Sequence, residues 1–438
     1  MEKTVETWFS SETKKDGIGR TKSINERGMG MKRRRDVKIW VLVVFLAFLF
    51  GIVSFPNEAA AQKKKEILIG GTISETGPFS SDVKPWPKLM NTWAQMINER
   101  GGLWVKSEKR RLPVKFVLYD DKSDQATSIK FYERLVTVDK VDFLIGPYTS
   151  PLTFAATTVA EKYKIPMVCV EATAGAIYGR GMKWIVGIDQ AGSKWSDAYF
   201  ELVKHEGKAK TVALLAEDQI IFTEVIPGAA NNAKKIGVNV VFNEKAASAT
   251  SDFSPIITKM KEKNPDICFV GGFIPFNIAF MKQAKELDFS PKEFHFTHFG
   301  ISFVEALGKD AQYATGSAYY MPGMKFGNYK FFLELLTRSG VSISEYPWAN
   351  DRMWAFDAIQ WGVETSESLK PNDLMQALKD LHIMAVAGPL RFDKTGQGTN
   401  RPIVNQIIGG KYQFCWPALP GYPSAEHVYP RPKWSELK

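Results

Sequence analysis

"FLIGPYTSPLTFAATTVAEKYKIPMVCVEATAG" occupies residues 143–175. An apolar run ends at Gly146-Pro147, and Tyr148, Thr149 and Ser150 follow before a stretch of helical spacing. A second apolar run over 165–170 then ends in Glu171, Ala172, Thr173, Ala174 and Gly175. This is a β-α-β unit whose two strands both end in hydroxyls and backbone amides, with no phosphate-binding glycine pattern.

The pattern extends outward in both directions. Residues 66–73 (EILIGGTI) form a strand rich in Ile and Gly, and 89–100 carries apolar residues at helical spacing, stopped by Gly101-Gly102. A strand over 113–120 leads to a helix over 123–136, with Ser123 or Asp124 as its N-cap. The alternation restarts with strands at 211–217, NVVFNEKA and DICFVGGF, and with helices over 225–236, 252–263 and 275–287. Nearly continuous apolar strands between helices predict parallel sheets covered on both faces. Two such series, divided between Asp189 and Lys210, predict an α/β chain of two doubly wound parallel-sheet lobes. In such sheets ligands lie beyond the carboxyl ends of the strands. That puts loops 74–86, 147–150 and 171–175 around one mouth, facing 217–222, 271–276 and 297–299 from the second lobe.

At the amino terminus, MKRRRDVK starts at Met31, residues 39–55 carry no charge, and Ala59, Ala60 and Ala61 precede Gln62. These are the parts of a secretory signal peptide, so residues 1–61 are expected to be non-mature, with Met31 a candidate start. The remaining chain is longer than the roughly 250–300 residues at which single cores stop growing. Removing 11 basic and 7 acidic residues leaves 46 against 40, a net +6. Both signs are dispersed and no basic block is interleaved with aromatics, which argues against nucleic acid as a partner. Cys169, Cys268 and Cys415 each sit in an apolar run and read as small buried hydrophobes.

No nucleotide-binding, zinc-protease, CxxC or nucleophile-elbow motif occurs, and the five histidines form no ligand pattern. His295 and His298 lie three apart in a strand-like run, and Asp120, Asp121 and Asp124 read as a strand end and helix cap. No cofactor, metal site or enzymatic activity is expected.

The blocks ILIGGTISETGPFSSD, NERGGL, LYDDKSDQATSIKFYERLV, VDFLIGPYTSPLTFAATTVAEKYKIPMV, DFSPIITKMKEKNPDICFVGGF and AVAGPLRFDKTGQG follow one another over nearly the whole mature chain. In that order the sequence resembles the periplasmic solute-binding proteins of ABC importers, of the branched-chain amino-acid (leucine/isoleucine/valine) type. The resemblance implies a type I periplasmic-binding fold with three hinge crossings, near Asp189, Gly316 and Pro402. Lobe 1 would comprise 66–188 plus 317–401 and lobe 2 189–316 plus 402–420, while 421–438, rich in Pro and polar residues, reads as a loosely wrapped tail. It implies a periplasmic, monomeric, non-enzymatic receptor that binds a small carboxylate-bearing solute, an amino acid or a related compound, and delivers it to an ABC permease in the inner membrane. A sensory ligand-binding protein of the same fold is the alternative.

By the same resemblance, Thr149, Ser150, Ala172 and Thr173 hold the ligand carboxylate. Trp86 and Tyr148 from lobe 1, with Phe222 and Phe273 from lobe 2, cover its apolar part. The family's acidic partner for a ligand ammonium is missing at Thr297-His298-Phe299, which leaves Glu171 or Asp218 as substitutes. The other outcome is a ligand without an ammonium group, such as an amide, a urea or an aromatic acid.

Overall fold

The computed structural model describes residues 64–320, 323–342, 349–417 and 424–437; the signal-peptide reading falls outside them. The first sheet is wholly parallel, in the order β4-β1-β5-β6-β7. Its strands are β1 (Ile67–Ile73), β4 (Val114–Asp120), β5 (Phe143–Ile145), β6 (Met167–Cys169) and β7 (Ile185–Gly187), and β2 (Leu103–Val105) with β3 (Arg110–Leu112) forms a separate hairpin. The second sheet has β8 (Thr211–Glu217), β9 (Asn239–Ala246), β10 (Ile267–Gly271), β11 (Glu293–Phe296) and β12 (Thr315–Ala318) in parallel. After a β13 (His382–Ala385) and β14 (Gly388–Arg391) ribbon, β15 (Ile403–Ile408) and β16 (Lys411–Trp416) add to its edge antiparallel, giving β16-β15-β12-β11-β10-β8-β9. Strands such as β5, β6, β7 and β10 are buried at every position, as a sheet covered on both faces requires.

The chain leaves the first sheet after β7, returns after β12 and crosses again after β14. The second passage, expected near Gly316, follows the end of β12 at Ala318, with Gly316 itself paired within that strand. On the return, the helix Ala349–Thr365 covers the first sheet, with Phe356 stacked on Trp93 at 4.8 Å and tilted against Phe116 at 5.9 Å.

Local chemistry accounts for most element boundaries. Asp124 caps the helix Gln125–Thr137 by accepting from the Thr127 amide at 2.7 Å. Its neighbour Asp121 accepts from the Thr72 and Ser74 hydroxyls, each at 2.6 Å, and so ties the end of β1 to the end of β4. The helix expected from Leu89 starts at Trp86 instead, because Pro87 falls in its first turn, where no amide is needed. The helix Ser254–Lys263 has Phe253 as its N-cap residue, and Asp252 accepts from the Ser254 amide at 2.9 Å. All three cysteines are free and buried.

The carboxyl-terminal segment is anchored rather than loose. The Trp434 indole donates to the Phe289 carbonyl at 3.0 Å, the Arg431 amide to Lys292 at 2.8 Å, and Val428 pairs with the Gln406 side chain through both backbone groups. His427 lies 3.4 Å from Glu293 and 3.8 Å from Glu206, within ion-pair reach of both when protonated. Burial lowers its proton affinity, but the two carboxylates outweigh that and hold its pKa above the ordinary imidazole value. A raised folded-state pKa adds stability that is complete below the unfolded value, about 6.5, and is lost as pH climbs through the folded one. His427→Gln should therefore lower the melting temperature more at pH 6 than at pH 8.5 in scanning calorimetry. An equal loss at both would assign His427 to packing alone.

Candidate functional site

Each sheet changes winding direction beside its first strand: β1 lies between β4 and β5, and β8 between β9 and β10. The loops leaving the two central strands there diverge, and the opening between them is where an open α/β sheet takes its ligand. In the first lobe these loops carry Phe79 and Tyr148; in the second they carry Phe222 and Phe273. The two sets meet. Phe79 contacts Tyr148 at 5.7 Å and Phe273 at 5.4 Å, Tyr148 lies 6.4 Å from Phe273, and Phe273 contacts Phe222 and His298 at 5.3 Å each. Trp86 sits edge-on to Tyr148 at 5.3 Å. Gly77 shapes the first loop: its φ is 89°, and a Cβ there would stand 2.5 Å from the Lys122 carbonyl oxygen.

The two hydroxyl loops of 143–175 are joined directly, since the Ala174 amide donates to Ser150 Oγ at 3.1 Å. Ser150 is the first residue of the helix Ser150–Tyr163, so its hydroxyl braces the neighbouring loop instead of capping its own helix. Thr149 precedes it with φ 76° and ψ 148°, a region that a β-branched residue adopts only under strain. Glu171, in the second loop, also has a positive φ of 53°. Thr149 and Thr173 are each 1% exposed. Neither the hydroxyl nor the amide of either threonine has a hydrogen-bond partner among the described residues. The Thr173 carbonyl, by contrast, accepts from the Gly192 amide at 2.8 Å and from Gln397 at 3.0 Å.

Ala172 differs from expectation. Its amide and that of Glu171 turn to the Asp189 carboxylate, the latter at 2.7 Å, and its carbonyl accepts from the Tyr178 hydroxyl at 2.9 Å. The Ala172 backbone is thereby committed to the first crossing. Asp218 stands apart altogether: it is exposed, pairs with Lys245 at 3.1 Å, and its amide is bonded to the Ala246 carbonyl at 2.8 Å. Glu217, one residue earlier, is buried and accepts from the Phe273 amide at 2.7 Å.

Beneath the first-lobe rings lies a group of charges. Arg352, from the helix Ala349–Thr365, places its guanidinium 3.2 Å from the centre of the Trp86 ring. The Tyr148 hydroxyl donates to Asp82 at 3.1 Å. Burial pushes Asp82 up to about 6, against the pull of its bonds from Ser81 and Tyr148. Burial also holds Glu171 well above the usual carboxylate range; Arg352 opposes the shift and Asp189 and Asp82 add to it. Asp189 and Asp351 are raised for the same first reason. On the other wall, burial lowers His298 to about 3, so it presents a neutral ring. The second lobe thus offers the cleft aromatic faces, its nearby carboxylates Glu217 and Glu224 being already bonded to backbone amides, whereas the first lobe offers hydroxyls, amides and acids with raised proton affinity.

Phe79, Asp82, Asp189 and Arg352 were not among the expected site residues. Phe79 and Asp82 fall in the expected loop 74–86, but Arg352 sits mid-helix in NDRMW, where nothing local marks it. Two open concavities of about 320 and 590 Å³, lined around Arg100 and Phe331 and around Tyr178 and Lys394, lie on other residues of the first lobe. Among the described residues no group of His, Cys, Asp and Glu could hold a metal ion, and no helix is long and apolar enough to cross a membrane.

A family model described as periplasmic binding protein matches residues 66–411. The Leu/Ile/Val-binding protein homolog 8 of Brucella melitensis biotype 1 is 26% identical over 349 residues, 73% of this chain and 83% of that protein. Among solved structures, the leucine-binding protein LivK of Thermotoga maritima superposes with a TM-score of 0.69 at 19% identity, covering 80% of this chain and 97% of that one. A solute-binding protein of an ABC transporter from R. palustris, in complex with 4-hydroxybenzoate, gives 0.67 at 20% identity over 85% and 100%. At those identities the two structures establish the fold, the type I periplasmic-binding arrangement. These relatives are binding proteins rather than enzymes, and the matched span covers most of the molecule: this chain belongs to the periplasmic binding protein family.

Proposed function

We propose that this chain is the extracytoplasmic substrate-binding component of an ABC importer. It acts as a monomer that closes on a small carboxylate-bearing solute and delivers it to a permease in the inner membrane. One observation carries the reading: Thr149 and Thr173, on adjoining loops beyond the carboxyl ends of β5 and β6, bury hydroxyls that have no hydrogen-bond partner among the described residues, and neither backbone amide has one there either. A buried donor left unpaired costs about 1–3 kcal/mol, and a carboxylate is the small acceptor that relieves several at once. Ser150 braces those loops, and Trp86, Tyr148, Phe222, Phe273 and His298 supply ring faces for the rest of the ligand. Neutral dipoles hold an anion without a counter-charge that would slow its release.

The solute class we favour is an apolar or aromatic carboxylate without an ammonium group. The second lobe's carboxylates beside the cleft, Glu217 and Glu224, are already engaged by the Phe273 amide and by the Gly175 and Ala176 amides, and an ammonium buried without a carboxylate partner costs several kcal/mol. The R. palustris neighbour was solved with 4-hydroxybenzoate. Glu171 supports a second reading, because its Oε1 is buried without a partner beside the Thr173 loop. An amino-acid ammonium there would ionise Glu171.

The two readings separate by pH. Binding that ionises Glu171 releases a proton and strengthens as pH rises; binding to protonated Glu171 through a ligand carboxylate weakens as pH rises. Calorimetric titration across pH 5.5–8.5 reads the sign. A thermal-shift screen of benzoate, 4-hydroxybenzoate, leucine, isoleucine, amides and ureas identifies the class first, since a ligand of the folded state alone raises the melting temperature. Failure of every carboxylate in that screen would sink the proposal.

Thr173→Val, which keeps shape and removes the hydroxyl, should weaken binding of the identified carboxylate by about 1–3 kcal/mol, measured by calorimetry. Thr149→Gly should raise stability to urea by about 0.5–2 kcal/mol through relief of backbone strain, while lowering affinity. A Thr149→Gly variant that binds normally would remove that hydroxyl from the site.

A further inference from the structure

The closed arrangement includes a bond between lobes that requires no ligand. Glu224 lies in the first turn of the helix Phe222–Lys235, which packs on the second sheet. Its carboxylate reaches across to the first lobe and accepts from two successive amides, Gly175 at 2.8 Å through Oε2 and Ala176 at 2.9 Å through Oε1. Both bonds are charge-assisted and share one rigid acceptor, so they form or break together.

The segment so held is the continuation of the Thr173 loop. From Thr173 to Ala176, each tether comes from a different part of the chain. Gly192 and Gln397 hold the Thr173 carbonyl, Ser150 holds the Ala174 amide, and Glu224 holds the next two. Of these, Glu224 belongs to the second lobe's helix. Gly175 is matched to it: a Cβ there would stand 3.0 Å from Glu224 Oε2 and 3.4 Å from Oε1, so the carboxylate would have to give by a few tenths of an ångström and both bonds would lengthen.

We propose that Glu224 is a cross-lobe latch, a positioning residue that sets the open-closed balance by holding the Thr173 loop from the opposite lobe. The inference builds on the clamp reading above. Opening the lobes must break both bonds and return the carboxylate and two amides to water. Closure is therefore partly favoured before any solute arrives, and the loop that carries Thr173 gains its last two tethers only once the second lobe is in place. A ligand then adds its contacts to a state that already exists as a minority or a majority.

The test needs no solute. Lys84→Cys on the first lobe and Ala247→Cys on the second, both exposed, take spin labels, while the three native cysteines are buried. Electron-electron distance distributions of the ligand-free, full-length secreted chain are compared with and without Glu224→Ala, Glu224→Gln and Gly175→Ala. The closed-distance population is expected to fall about fivefold or more in Glu224→Ala, less in Glu224→Gln, which keeps one acceptor oxygen. Gly175→Ala, with Glu224 intact, should fall likewise. Distributions of Glu224→Ala and Gly175→Ala that superimpose on the unsubstituted protein overturn the latch. Should Glu224→Ala fail to fold, Glu224→Gln and Gly175→Ala carry the same decision. A solute screen without hits would sink the binding proposal and leave this measurement intact.

Discussion

Strands in a parallel ladder all point the same way, so every loop that follows one of them emerges at the same edge. Both sheets of this protein obey that constraint through five consecutive strands. Each lays its first strand between its next two parallel neighbours, β1 between β4 and β5 and β8 between β9 and β10, which separates one pair of loops at that edge. The aromatic contacts between Phe79, Tyr148 and Phe273 exist because the two edges meet there. Everything chemical about the cleft follows from this meeting. The sheets supply position, and the loops supply the groups.

Those groups divide between the walls. Thr149 and Thr173 of the first lobe hold hydroxyls and amides without partners among the described residues, the backbone has a positive φ at Thr149 and Glu171, and beneath them lie acids whose charge is suppressed by burial. The second lobe brings rings and a neutral imidazole. A wall of strained, under-satisfied polar groups is stable only when the packing around it dictates the conformation, and here Ser150, Asp189, Gly192 and Gln397 do so. Rigidity beneath the site and complementarity at its surface thus come from different residues.

The primary structure carried the strands clearly. The runs read as 211–217 and NVVFNEKA coincide with β8 and β9, because continuous apolar or alternating runs bounded by turn residues have few other folds available. The Gly-Pro breaks at 77 and 146 marked loops for an equally local reason. What stayed hidden was anything decided across the lobes. Arg352 is an ordinary helical residue until Trp86 is seen beneath it, and Glu224 reads as a first-turn acid on its own helix. Asp218 was misleading for a definite cause: its amide bonds to Ala246, which draws it to the β9 edge and towards Lys245. The tail read as loose from its proline content, yet Trp434 and Arg431 are anchors that no local pattern reveals.

The threefold passage of the chain between the sheets bears on how the molecule can be assembled. The face of the first sheet that receives Phe356 stays bare until the stretch after β12 arrives, and the second sheet is completed only by β15 and β16 near the carboxyl terminus. Neither half is a contiguous piece of polypeptide, so neither can finish early during synthesis, and no single backbone cleavage can set one free. A chain built this way remains threadable until its last strands exist.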